Sequence, residues 1–374
     1  MCALFFAALR KHRPCTVASR MDVYLDASLR PTAPATMAVP RTYIKSLEFD
    51  WTLVGAPIAA ALLVALMVTL DVRLYPLLLV ADLWLLGYHH VIATYTRLAF
   101  DARSLRRNRF LAVDLLVVVT LVTLAIALTA GAWVIATAFL YLQWFHYMRQ
   151  GYGISRMYYR ATPEGKVSGS RDMVADLAIY LVPIYGIAAR SATMGDRFLG
   201  LPVKPLVLPD PIIMMLGMAA AAAVIVWIAK TTRAALTGTL DPQYAGFVAS
   251  HIVIFLVGYI AMKDVNVGWL AINVWHNFQY VLVVWMSNAK RYAGGIDPTA
   301  RLLSRLSQPG RAFRYFAYCL AITTFIYAAL DRFTALVLGG GLAVTLAMYM
   351  GINFHHYIVD ALIWKRRKPV PQAA

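Results

Sequence analysis

The sequence predicts an all-α protein, a polytopic transmembrane bundle of about ten spans with both termini cytoplasmic, on the strength of three observations. Hydrophobic residues make up 61% of the 374-residue chain and charged residues 14%, against about 25% charged in a typical soluble domain. The apolar residues gather into runs of about 20, the length a helix needs to cross a hydrocarbon core. Lys and Arg collect between those runs, mostly in every second connection, as expected of cytoplasmic loops.

Along the chain, residues 1–50 read as a disordered cytoplasmic tail. Its one apolar stretch, Cys2 to Leu9, is too short to span, and the basic cluster from Arg10 to Arg13 follows it instead of preceding it as in a signal peptide. Met21 and Met37 are further candidate starts. Apolar windows then place spans at 51–71, 74–96, 110–129, 132–151, 173–190, 211–230, 246–263, 266–287, 313–330 and 333–363, so that 51–364 is a single transmembrane domain and 365–374 a basic tail. The outside stretch 191–210 holds Pro202, Pro205 and Pro209 among apolar residues and reads as a Pro-rich loop or a lid on the membrane. Within the inside loop 287–314, Pro298 to Gln308 sets Leu302, Leu303 and Leu306 on one face beside Arg301 and Arg305, the pattern of a short interfacial helix. Gly339, Gly340 and Gly341 read as a close-packing site inside the last span.

With the N-terminus inside, 29 of the 35 Lys and Arg are cytoplasmic and six are outside; without the tail the contrast is still 22 against six. The formal net charge of +17 is therefore a topology signal, nucleic acid is not an expected partner, and the expected location is the cell membrane, the inner one in a bacterium. Cys2, Cys15 and Cys319 form no CxxC pair, which argues against a disulfide framework or a thiolate metal site.

The histidines carry the chemistry. Of eight, seven fall within predicted spans: His89, His90, His146, His251, His276, His355 and His356. Ionisable residues in a membrane are costly and point to function. Six of the seven belong to the cytoplasmic half. At about 1.5 Å per residue, His90 is about 10 Å from Arg97, His356 about 14 Å from Lys365 and His146 about 5 Å from Arg149; His276, about 21 Å from Lys290, is the one expected to stand apart. Gln143, Asn273 and Asn353 each precede a histidine by three residues, on the same helix face, where an amide can orient an imidazole. Asp82, seven before His89, and Asp360, four after His356, share a face with a histidine, and Gln279 extends the polar stripe of His276. These six residues read as supporting groups or additional ligands of a metal held by the seven histidines.

Imidazole suits iron, copper, zinc and nickel. A b-type haem needs only two axial ligands, whereas seven histidines and one or two carboxylates suit a dinuclear iron centre; iron is the expected cofactor, with haem or copper as alternatives. On that count the chain resembles, at the level of chemical class, the His-rich integral-membrane non-haem iron enzymes: fatty-acid desaturases, alkane and sterol-type hydroxylases, and membrane carotenoid-cleaving oxygenases. The resemblance implies a membrane oxidoreductase that uses O₂ on a lipid or isoprenoid substrate at a cytoplasm-facing iron site. The HxxxH and HxxHH boxes of desaturases and hydroxylases are absent; the pairs here read His89-His90-Val-Ile-Ala and His355-His356-Tyr-Ile-Val, so no catalytic role carries over to an individual residue. There is no GxGxxG, Walker A, HExxH or GxSxG, so electrons are expected from a separate cytoplasmic reductase. Two other readings of the same residues are a b-type haem electron-transfer protein and a transporter in which His and Asp handle protons or a metal ion.

Overall fold

A computed structural model describes residues 43–168, 171–337, 339 and 341–363. Of the expected tail over 1–50, residues 1–42, with Cys2 and Cys15, lie outside the described residues, as does the basic tail at 365–374, whereas Leu47–Asp50 already belong to the first helix, capped by Ser46. The helices are α1 (Leu47–Leu70), α2 (Val72–Leu98), α3 (Ala102–Thr129), α4 (Ala132–Ala161), α5 (Pro163–Ser168), α6 (Met173–Thr193), α7 (Asp210–Leu236), α8 (Pro242–Ala261), α9 (Val265–Arg291), α10 (Arg301–Leu306), α11 (Ala312–Val337) and α12 (Leu342–Ile363). Seven of them, α1, α2, α3, α6, α7, α8 and α11, are long and apolar enough to cross a membrane, and they mark a multi-pass membrane protein.

The long helices outside that group are α4, α9 and α12, which carry His146, His276 and the His355–His356 pair. Of these, α4 and α9 carry the more polar compositions. α9 is buried on almost every face, against α1, α2, α4 and α8, and α12 packs along α3, α4, α2 and α11. At the other extreme α7 lies principally on α6 and exposes Met214, Met215, Met218, Ile225 and Val226, an apolar surface suited to lipid. Aspartates start several helices by capping free amides: Asp101 on α3, Asp172 on α6, Asp241 on α8 and Asp264 on α9.

Three expectations change in detail. α11 runs on to Val337 and α12 begins at Leu342, so Gly339 and Gly341 lie between two helices instead of within one span; Gly339 takes φ +75°, a conformation open to glycine. The stretch 191–210 folds as a small antiparallel hairpin, β1 (Arg197–Phe198) and β2 (Leu201–Pro202), turning through Leu199 and Gly200 at φ 51° and 77°. Positive φ at both turn residues matches the twist of a tight hairpin. The hairpin is pinned inward: Phe198 is buried edge-on to Trp269 of α9, and the Leu199 amide donates to Asn266 Oδ1 at 2.7 Å. It packs against the N-terminal part of α9. In α10, Leu303 and Leu306 are buried while Leu302 is exposed with Arg301 and Arg305, so the apolar face is narrower than the spacing suggested.

Candidate metal centre

Four helices each bring one imidazole to the interior: His90 from α2, His146 from α4, His276 from α9 and His356 from α12, none more than 7% exposed. His356 Nε2 lies 2.6 Å from His90 Nε2 and 3.3 Å from His146 Nε2, and these three rings offer ligand atoms all within 4.8 Å of one another. The His276 ring adjoins them, its centroid 4.8 Å from that of His90 and 4.9 Å from that of His146. His276, expected to stand apart, is therefore in the group.

Two ring nitrogens 2.6 Å apart cannot both carry hydrogen, and two bare lone pairs repel at that distance. The arrangement calls for either one hydrogen, donated by one neutral imidazole to the lone pair of the other, or a metal ion between them. A tetrahedral ion with bonds of about 2.0–2.1 Å spaces its ligand atoms about 3.3 Å apart. His356 and His146 already have that spacing, His90 reaches it from His356 by retreating about 0.7 Å, and all three ligand atoms lie within 4.8 Å of one another. Nitrogen donors at this spacing fit a single first-row transition-metal ion. They do not fit haem, whose iron would need two opposed axial nitrogens about 4 Å apart with a macrocycle between them.

The choice of His90 over His89 has a local cause. Leu83–Gly87 of α2 forms a π turn, with the Tyr88 amide bonded to the Leu83 carbonyl, and a π turn takes up about one residue more than an α turn. Eight residues, not seven, then bring the chain back to the face of Asp82, and the eighth is His90. His89 faces α11 instead, edge-on to Phe316 with ring centroids 5.7 Å apart.

His251 and His355 also lie elsewhere. His251 Nε2 donates to the Ile179 carbonyl at 3.0 Å, and its ring fills the space that Gly151 leaves on α4, where a Cβ would lie 2.3 Å from Nδ1. His355 donates from Nε2 to the Leu111 carbonyl at 2.6 Å and accepts the Tyr95 hydroxyl at Nδ1, 3.0 Å away. Both His355 nitrogens are used in tying α12 to α3 and α2, which leaves no lone pair for a metal.

The supporting groups form two chains, each ending on a buried carboxylate. In one, Trp269 Nε1 donates to Gln143 Oε1 at 2.9 Å, Gln143 Nε2 reaches Asn273 Oδ1 at 3.4 Å, the Tyr147 hydroxyl donates to the same oxygen, and Asn273 Nδ2 donates to Asp82 at 2.5 Å. Gln143 and Asn273 thus bind each other and Asp82 instead of an imidazole; the contact with the histidines is the Tyr147 ring, 4.3 Å from that of His276. In the other, His356 Nδ1 is 2.9 Å from Thr94 Oγ1, Thr94 is 2.7 Å from the Tyr280 hydroxyl, and Tyr280 donates to Asp360. Asn353 donates to the Tyr349 carbonyl of its own helix, and Gln279 is fully buried with neither side-chain atom paired. Thr94 is the participant that sequence reasoning missed; its signal was the spacing of four from His90, one turn along the same face.

No protein-family profile matches the chain, and no curated protein or solved structure is detectably similar to it.

Proposed function

We propose that the chain is a membrane oxidoreductase that holds one metal ion, iron by preference, on His90, His146 and His356 with His276 beside them, and that it oxidises an apolar lipid or isoprenoid drawn from the bilayer. The observation that carries this reading is the meeting of three Nε2 atoms from three different helices at a buried point. A dinuclear centre suited seven histidines in one site; four rings together suit one ion. Neutral imidazoles leave a divalent charge uncompensated, and the buried carboxylates of Asp360 and Asp82, each at the end of a hydrogen-bond chain next to the rings, supply the balancing charge. The metal would supply binding and activation of O₂. The residues around it hold the imidazoles in place and keep water out: the Tyr280 ring lies 4.1 Å from His90 and the Tyr357 ring 4.6 Å from His146.

The same reading includes ten spans, both termini on the cytoplasmic side and residence in the cell membrane, supported by the ten long helices and by the Lys and Arg imbalance. Electrons come from a separate reductase docked on the basic cytoplasmic face around Arg103, Arg106, Arg107 and Arg109.

The test is metal analysis with an absorption spectrum on protein purified in mild detergent without a His-tag or chelator. About one metal per chain and no haem band is the expected result. His90→Ala, His146→Ala and His356→Ala should each lose most of the metal while still inserting, and His89→Ala, one residue away, should keep it. Retention in all three, or equal loss in His89→Ala, overturns the reading. A chain that binds no metal would leave the histidines as proton-handling groups, as in a transporter.

A further inference from the structure

The hydrogen-bond chain on His356 has only one consistent direction when followed back from its carboxylate. Tyr280 has a single hydroxyl hydrogen and gives it to Asp360 Oδ1, so at the 2.7 Å contact between Tyr280 and Thr94 the donor is Thr94. Thr94 also has one hydroxyl hydrogen, so at the 2.9 Å contact with His356 Nδ1 the donor is the imidazole. A neutral imidazole with hydrogen on Nδ1 has a bare lone pair on Nε2, the atom that faces His90 and His146. The Arg97 guanidinium lies within electrostatic reach of Asp360 and Tyr280 and favours the ionised carboxylate from which the direction follows.

We infer that Thr94, Tyr280 and Asp360 are positioning residues that lock His356 in the ligating tautomer before any metal arrives. Three helices cooperate in this: α2 gives Thr94, α9 gives Tyr280 and α12 gives both His356 and Asp360. The asymmetry within the triad supports it, because His90 Nδ1 is buried with no hydrogen-bond partner. His356 is therefore the pre-set ligand, and the bare Nε2 that results accepts the hydrogen of His90 Nε2 across 2.6 Å in the absence of metal. The inference takes the metal reading as its frame, but the tautomer itself belongs to the protein alone.

The test separates the two. In metal-stripped protein carrying isotope-labelled histidine, nitrogen NMR, assigned by comparison with His356→Gln, should show His356 protonated on Nδ1. Tyr280→Phe and Thr94→Val, which keep the ring and the shape, should each let the proton redistribute to Nε2, and Thr94→Ser should restore the original state. Tyr95→Phe, which touches His355 instead, should change nothing at His356. Zn²⁺ titration of the same proteins should show affinity lower by roughly 10–100-fold in Tyr280→Phe and Thr94→Val. His356 protonated on Nε2 in the unaltered protein, or an unchanged tautomer in both variants, overturns the inference. The expected tautomer pattern together with no zinc binding in any of the proteins would uphold it and remove the metal reading.

Discussion

Gly258 of α8 and Gly268 of α9 meet backbone to backbone, and a Cβ on Gly268 would stand 1.8 Å from the Gly258 carbonyl oxygen. That approach helps α9 occupy the centre of the bundle. Gly268→Ala should therefore push the two helices apart at a cost of about 1–3 kcal/mol or more, read as a lower unfolding temperature in detergent. Gly153→Ala, on the exposed side of α4 with nothing within 4 Å of the new methyl, should instead stabilise by about 0.5–1 kcal/mol through helix propensity. The same substitution with opposite signs separates close packing from intrinsic propensity, and a neutral Gly268→Ala would refute the contact. At this scale seven intramembrane histidines stood out, because buried imidazoles are costly, but nothing in the sequence separated the four that cluster from His89, His251 and His355. His276 looked remote because Lys290 served as the marker of the membrane edge. Lys290 in fact stands at the far end of a long helix and donates to the Ile44 carbonyl at 2.7 Å, so its distance from His276 measures helix length more than depth.

Between residue and bundle, the element that decides the site is the π turn in α2. A period of 3.6 residues pairs Asp82 with His89, whereas one wider turn pairs it with His90. A helix-wheel reading cannot see such an insertion, since it assumes an unbroken period. The turn also makes a prediction. Deleting Leu85 should restore a regular helix, rotate the following residues by about 100° and carry His90 away from His146 and His356 with every histidine still in the chain. Bound metal should then fall to the level of His90→Ala in protein that still purifies as a folded monodisperse species. Retention of metal by the deletion variant would show that the helix absorbs the change elsewhere and that the π turn does not set the register. The hairpin over 197–202 was hidden for a related reason: its short apolar strands read as a Pro-rich loop, and what holds them is the long-range contact of Phe198 with Trp269.

For the whole molecule, the helical membrane architecture was the most legible feature, because apolar runs of about 20 residues with few charges demand it. The orientation of the bundle can be tested at the end that carries Lys45. Lys45 is exposed as a residue, yet its ammonium rests 3.5 Å over the Trp285 ring and 4.9 Å from that of Phe49. Burial of that ammonium, and then the charge of Lys290, draw its pKa down to about 8, with Asp50 opposing them. The native state therefore holds fewer protons than the unfolded chain between about pH 8 and the ordinary lysine value of 10.5. Stability from this group rises with pH through that window, and the penalty is complete below it. Lys45→Met should thus stabilise the protein at neutral pH and lose its advantage in alkali. Labelling of the Lys45 peptide by a membrane-impermeant amine reagent, followed by mass spectrometry, should show half-maximal rate near pH 8, higher in Lys290→Met and lower in Asp50→Asn. Run on sealed vesicles, the same reaction reports topology. Labelling confined to inside-out vesicles places this end in the cytoplasm, as the Lys and Arg distribution requires. Labelling confined to right-side-out vesicles would invert the bundle and put the proposed reductase face on the wrong side of the membrane.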